Sequence, residues 1–388
     1  MFDCNSALSK KARDLKPSGI RKFFDMLAGR EGVISLTVGQ PDFATPWHIR
    51  DAGIDSIADG HTFYTSNRGT PELRHEISKY MDRRFGLSYC SETDILVTVG
   101  ASEAIDMAIR ALIDEGDEVI VPVPSFVCYS PLVEMAGGKT VFVETTPEEG
   151  FKLTPDRLKS AINEKTKLII LPYPSNPTGV ILEKEELQAL ADVISETDAV
   201  ILSDEIYAEL TYGKKHTSIA SVDGMKERTI VINGFSKAYA MTGWRLGFSC
   251  APEELTEAMF KIHQYAIMCA PTVSQYAATE ALRNGDSDIE MMKEEYDRRR
   301  KYLTKALHEI GLPCQSPEGA FYVFMKLDHY GLSSEEFCER LLDEYNVAIV
   351  PGTAFGDCGE GYARLSYAYS LDHLKEAVKR MDRFVKSL

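Results

Sequence analysis

The run Asn233-Gly-Phe-Ser-Lys237-Ala-Tyr-Ala-Met-Thr-Gly-Trp-Arg245-Leu-Gly247 sets a single lysine on a Gly/Ser turn between two apolar stretches. Thr229 to Ile232 before it and Leu246 to Ala251 after it have the short apolar character of buried strands. Lys237 is therefore expected on a loop at strand ends, inside the fold. Poor solvation there penalises the ammonium and lowers its pKa, which frees the neutral amine to attack a carbonyl, as Schiff-base chemistry requires. Arg245 offers a guanidinium suited to gripping a phosphate bidentately. The ordinary alternative is a surface lysine with a surface arginine, and the apolar, Gly-punctuated setting argues against it.

An imine-forming lysine with a phosphate-gripping arginine suits pyridoxal phosphate (PLP), which makes further demands. Its pyridine nitrogen must stay protonated, so a buried carboxylate is needed beside it, and Asp204 ends the apolar run Ala199-Val-Ile-Leu-Ser203. Such a residue is otherwise a helix cap or loop residue. Tyr207, three residues on, could bond the cofactor's ring oxygen. Asn176 could share that oxygen from the rigid turn Ser175-Asn-Pro-Thr-Gly179, although this is also good turn chemistry in its own right. Ile95 to Val99 followed by Gly100 and a helix expected to open at Ser102 would present free N–H groups and a positive dipole end to a phosphate. An N-capped helix without an anion is the alternative. Phe126 could stack on the pyridine ring or simply pack. Arg364, in the apolar strand Tyr362-Ala-Arg-Leu-Ser-Tyr-Ala368, should meet a carboxylate: either a structural partner or a substrate's α-carboxylate.

These residues, in this order, resemble the class I/II aminotransferases of the PLP fold-type I (aspartate aminotransferase) superfamily. The likeness runs nearly end to end, through Val38-Gly-Gln-Pro-Asp-Phe43, Tyr64, Gly69-Thr-Pro-Glu-Leu-Arg74, Pro174 to Gly179, Ser203-Asp-Glu-Ile-Tyr207, Ser236-Lys237, Thr242-Gly-Trp-Arg245, Gly319-Ala-Phe-Tyr322 and Arg364 to Ala368. The resemblance implies that Lys237 carries PLP covalently and shuttles the proton, that Asp204 pairs with the pyridinium, and that Tyr207 and Asn176 hold the ring oxygen. Phe126 would stack on the ring. Ala101 and Ser102 would bind the phosphate with Ser236 and Arg245, and Tyr64 would reach the phosphate of a neighbouring subunit, giving a homodimer with shared active sites. Arg364 and the backbone of Gly39 would hold the substrate carboxylate, with Asn176 alongside. Gly234 stands where some relatives carry a phosphate-binding hydroxyl.

The implied reaction is a ping-pong transfer of an amino group from an L-amino acid to a 2-oxo acid. Ser18-Gly-Ile-Arg-Lys-Phe23, Leu171 to Ser175, Glu209-Leu-Thr-Tyr212 and His263-Gln-Tyr265 resemble N-acetyl-LL-diaminopimelate aminotransferases, with 2-oxoglutarate as acceptor. Ser221 to Met225, Glu295 to Arg300 and Gly352 to Gly356 look as much like aromatic aminotransferases, and aspartate aminotransferases share most of the rest. A PLP-dependent β C–S lyase would keep the same lysine, aspartate and phosphate set.

Strands and helices alternate from about Ile95 to Ala251, which predicts an α/β fold with a mostly parallel sheet in a three-layer large domain. Leu187, Leu190, Ala191 and Ile194 fall on one helical stripe facing that sheet. After Asp286 the pattern changes to a charged helix, a strand at Phe321 to Met325, a helix from Ser334 to Tyr345, and a last helix with Leu374, Ala377, Val378, Met381 and Val385 on one face. The expected organisation is a PLP-binding domain over 46–285 and a smaller α+β domain from 1–45 and 286–388. The run Arg298 to Lys301 reads as a solvated helix face. With 388 residues and a net charge of -16, the chain suits two domains and argues against nucleic acid as a partner. Eight cysteines without C-x-x-C spacing indicate neither a metal site nor a disulfide framework. No signal segment or bilayer-length apolar run occurs, so a cytoplasmic location is expected and no membrane role. G-x-G-x-x-G is absent, which excludes a dinucleotide oxidoreductase, and Gly234-Phe-Ser-Lys-Ala238 lacks the second glycine of a serine-hydrolase elbow.

Overall fold

The computed structural model describes residues 2–16, 19 and 29–388. Apart from Gly19, the Ser18 to Phe23 motif lies outside the described residues. Seven strands form the main sheet: β1 (Ile95–Thr98), β2 (Glu118–Val123), β3 (Lys139–Glu144), β4 (Thr166–Leu171), β5 (Val200–Asp204), β6 (Thr229–Gly234) and β7 (Gly247–Cys250), in spatial order β1-β7-β6-β5-β4-β2-β3. All pairings are parallel except those of β7, which runs antiparallel to both β6 and β1.

The inner strands β2, β4, β5 and β6 read as largely apolar runs because both faces are covered, while most of the edge strand β3 is exposed or half-buried. Leu168, Ile170 and Leu202 pack on the side of the helix Gly100–Leu112, while Ile169, Leu171 and Ile201 pack with Leu187, Leu190 and Ile194 on the other. Alternate side chains of one strand thus feed two helical layers, as a period of two requires. The stripe on the helix Lys184–Ile194 is buried as expected, and truncating Leu190 to Ala would cost about 2–5 kcal/mol.

A second, antiparallel sheet joins Val350–Pro351, Tyr362–Ser366 and Tyr322–Lys326 in that order. The short strand Ile34–Ser35 pairs with Val347–Ala348, which ties the chain before residue 45 to the C-terminal portion. Gly69-Thr-Pro is the start of the helix Pro71–Phe85: Thr70 Oγ1 accepts from Leu73 N, Pro71 stands in the first turn, and Gly86 ends the helix at φ 68°.

Three expectations need correction. Lys237 lies on a turn of helix, Phe235–Ala238, rather than a loop. The helix expected from Ser102 begins at Gly100, whose φ of +77° lets the chain turn directly off β1. The run Arg298 to Lys301 is solvated only at its ends, because Arg299 is 5% exposed and donates to Asp42 Oδ1 and Glu295 Oε1, each at 2.8 Å. Helical periodicity carries that guanidinium inward, where two carboxylates and the rings of Phe43 and Tyr296 receive it.

Candidate active site

Five strand ends converge on one cavity of about 350 Å³. The turn after β1 brings Ala101 and Ser102, that after β2 brings Phe126, and that after β4 brings Asn176. β5 ends on Asp204 with Tyr207 beyond it, and β6 leads to Ser236 and Lys237. Ligands of α/β sheets bind beyond the carboxyl ends of the strands, where loop residues from several strands meet. Gly39, Arg245 and Arg364 complete the wall from other segments. Tyr64 is the one predicted site residue outside the cavity: it is 81% exposed and lines a separate surface recess with Phe63, Val99 and Ile267.

Lys237 Nζ donates to Gly39 O at 2.6 Å. Burial, then the charges of Arg364 and Arg245, push its ammonium down to about 8 against the pull of Asp204. The amine is thus neutral in part at ordinary pH, as a nucleophile must be.

Asp204 is 6% exposed and accepts from Tyr129 Oη at 2.7 Å and Ile206 N at 3.2 Å. Burial raises its carboxyl above the usual range despite those bonds. A cationic N–H is what would return it to the ionised form. Arg364 is 2% exposed, donates to Asn176 Oδ1 at 2.9 Å and to Thr37 O, and lies 4.5 Å from the Tyr322 ring centroid. Among the described residues it bonds no carboxylate, and its Nε has no partner. Such a cation is primed for an incoming anion.

The turn at Gly100 is closely built. A Cβ at Gly100 would lie 2.8 Å from Arg245 Nη2, and one at Gly247 would lie 2.6 Å from Ala101 N. Only glycine lets the helix N-terminus and the guanidinium converge there. Gly234 is tight as well: an added Cβ would sit 3.0 Å from Gly247 Cα, its partner across β6 and β7, so a side chain there would require a small shift of that neighbour. A raised buried carboxylate, an underpaired arginine and a glycine cradle at a helix N-terminus fit the pyridine nitrogen, substrate carboxylate and phosphate of PLP chemistry.

Sequence reasoning missed two tyrosines. Tyr129, at the end of the segment already singled out for Phe126, holds Asp204 from below and meets Phe126 edge-on at 6.1 Å. Tyr322, in the Gly319 to Tyr322 motif, lines the cavity and shares a 2.7 Å bond with Tyr207 Oη. Two motifs credited with substrate choice are occupied elsewhere. His263 is buried against Glu103 at 2.7 Å, and Glu209 receives Tyr80 at 2.7 Å and Arg84 Nε at 2.9 Å. Among the described residues no group of three or more His, Cys, Asp or Glu could hold a metal, and no helix is long and apolar enough to cross a membrane.

Fold and site together define a PLP-dependent transferase of amino groups. The family "Aminotransferase class I and II" matches residues 31–381, and the chain belongs to it. It is 55% identical over 380 residues, 98% of each chain, to the Bacillus subtilis protein named "Putative aminotransferase YugH". It is 46% identical to that organism's "Probable N-acetyl-LL-diaminopimelate aminotransferase", over 97% of this chain and 95% of the relative. The solved aromatic aminotransferase of Pyrococcus horikoshii superposes with a TM-score of 0.90 at 44% identity, covering 95% of this chain and 99% of that one. The protein is an aminotransferase that uses PLP.

Proposed function

We propose that this enzyme takes the amino group of N-acetyl-LL-diaminopimelate, passes it to 2-oxoglutarate by a ping-pong mechanism in a biosynthetic role, and works in the cytoplasm as a homodimer. The observation that carries the site assignment is a depressed lysine, Lys237, sharing one cavity with an arginine, Arg364, that has no carboxylate partner among the described residues. The substrate assignment rests on the similar diaminopimelate enzyme.

Each residue has a defined task in this reading. Bound PLP supplies an electron sink for charge developing at the amino acid's α-carbon. Lys237 Nζ holds the cofactor, then takes the α-proton and returns it on the other side of the transfer. Asp204 keeps a proton on the pyridine nitrogen, with Tyr129 fixing its orientation. Tyr207 and Asn176 bond the ring oxygen, and Phe126 covers the ring. Ala101, Ser102, Ser236 and Arg245 bind the phosphate. Arg364 and the Gly39 backbone orient the substrate carboxylate, so that the α-carbon faces Lys237. Residues 46–285 form the cofactor-binding domain, and 1–45 with 286–388 the smaller one.

Tyr64 reaches the phosphate of the second subunit in this reading. Exposed Phe63 and Tyr64, together with Trp47, Ile54 and Ile57 left in solvent by the helix Trp47–Ala58, support a covered surface. Mixing inactive Lys237→Ala with impaired Tyr64→Phe should give heterodimers with one intact site and activity above both parents. Full activity from a sedimenting monomer contradicts the shared site.

An aromatic amino donor is the second reading, favoured by the apolar wall of Val38, Ile105 and Phe126 and by the Pyrococcus neighbour. Amino donors bleach the yellow cofactor form, so the half-reaction ranks them directly. N-acetyl-LL-diaminopimelate should bleach it with the highest rate per concentration. Faster bleaching by tyrosine or phenylalanine replaces the first reading with the second, and faster bleaching by aspartate rejects both.

A further inference from the structure

Tyr322 opens the strand Tyr322–Lys326 and is 1% exposed, yet its hydroxyl reaches the cavity. Three groups of the site surround it. Its Oη lies 2.7 Å from Tyr207 Oη, with the two rings edge-to-face at 5.8 Å. The Arg364 guanidinium stands 4.5 Å from its ring centroid. A side chain at Gly39 would collide with its hydroxyl, so the Gly39 backbone, which accepts from Lys237, rests directly on it.

Two phenols in contact share a single hydrogen bond, and one of them keeps its own proton free. If Tyr207 donates to Tyr322, its proton is spent and it cannot donate to a third oxygen. In the reverse arrangement Tyr207 accepts from Tyr322 and donates onward. We propose that Tyr322 is a positioning residue that donates to Tyr207, orienting and polarising the Tyr207 hydroxyl toward the ring oxygen of the cofactor. The inference rests on the reading that Tyr207 bonds that oxygen.

Arg364 decides the polarity. A nearby cation favours the phenolate and makes a phenol the better donor, and the guanidinium packs directly on the Tyr322 ring. Among the influences on Tyr322, Arg364 comes next after burial; for Tyr207 it ranks below burial and below Tyr322 itself. The more acidic phenol donates to the less acidic one, and hydrogen bonds in such a chain strengthen each other. A donor into Tyr207 therefore strengthens Tyr207 as a donor to the ring oxygen. That oxygen is then better stabilised as an anion, and the proton held between it and the lysine-linked nitrogen is released more readily.

The test is a visible-absorbance pH titration of the holoenzyme, which reads the apparent pKa of the cofactor–lysine link without turnover. Tyr322→Phe keeps the ring against Arg364 and removes only the hydroxyl. It should bind that proton about three- to tenfold more tightly, a rise of half to one pH unit. Tyr207→Phe should raise the pKa further. The double variant should match Tyr207→Phe alone, because Tyr322 acts only through Tyr207. An unchanged or lowered pKa in Tyr322→Phe, with Tyr207→Phe raised, overturns the inference and leaves the Tyr207 reading intact. Unchanged pKa values in both single variants overturn the two together. Additive shifts in the double variant also overturn it, since they would show Tyr322 acting by another route. Should Tyr322→Phe not fold, Tyr322→His, which retains a donor near the same place, must restore the wild-type pKa; a raised value there counts against the inference.

Discussion

Asp204 and Glu205 are consecutive carboxylates at the end of β5, and they sit in opposite electrostatic worlds. Glu205 is fully buried and completely met: Ser203 and Ser218 hydroxyls donate to Oε1 at 2.8 and 2.5 Å, and His216 Nε2 lies 2.9 Å from Oε2. Asp204 faces the cavity with a phenol and one backbone N–H, and burial holds its carboxyl up. The arginines repeat the contrast. Arg299 is held by two carboxylates, whereas Arg364 has only neutral oxygens and an unpartnered Nε among the described residues. Burial alone therefore does not mark function. A buried charge whose partners are complete holds the fold, and one whose partners are incomplete is arranged for a ligand.

The largest effect expected from breaking this contrast is at Lys237. Lys237→Ala should lose turnover entirely while still binding PLP, and borohydride should no longer fix cofactor to the chain; retained covalent labelling would move the assignment to another lysine. Next comes the carboxylate pair. Asp204→Asn should lower turnover on the order of a thousandfold, about 4 kcal/mol in the barrier, with little change in melting temperature. Glu205→Gln should do the reverse, costing about 1–3 kcal/mol of stability while the folded fraction keeps most of its activity.

The arginine pair sharpens the same point. Arg364→Met should reduce kcat/KM by roughly 10²-fold or more, from lost charge-assisted bonds of about 1.5–3 kcal/mol each, and leave stability unchanged or higher. Arg299→Met should take the guanidinium from Asp42 and leave Glu295 to Arg298 alone, at roughly 1–3 kcal/mol, discounted because both carboxylates remain about a quarter exposed. Equal losses of stability in the two variants would remove the distinction. The smallest effect is in pH dependence. Lys237 is depressed to about 8, so PLP capture by the apoprotein should speed up as pH rises through that value and level off above it. A rise continuing to the ordinary lysine range would mean the amine is not perturbed.

Much of this was legible because the decisive residues sit at the ends of apolar runs. Asp204 after Val200 to Ser203, Asn176 after β4 and Lys237 after β6 follow from the pattern of strand, turn and helix, and the rim position comes with the parallel sheet. Partnerships across long sequence distances were not legible. Nothing near Arg299 announces Asp42, and nothing near Tyr207 announces Tyr322. Where the substrate motifs would lie was not legible for a related reason. Glu209 and His263 are fixed by buried contacts to Arg84 and Glu103, so their presence reports shared packing as much as shared specificity.

The antiparallel strand β7 governs when the enzyme can become whole. Among the described residues β1 pairs only with β7, and Leu96 opposite Ser249 closes a contact about 150 residues apart in sequence. The turn at Gly100 hangs from β1, and its packing against Gly247 waits for the same event. During synthesis, strands β2 to β6 can align as their helices emerge, but the anion cradle forms only after the chain has returned along β7. Within the main sheet, the turn at Gly100 is therefore anchored by the pairing that spans the longest stretch of sequence.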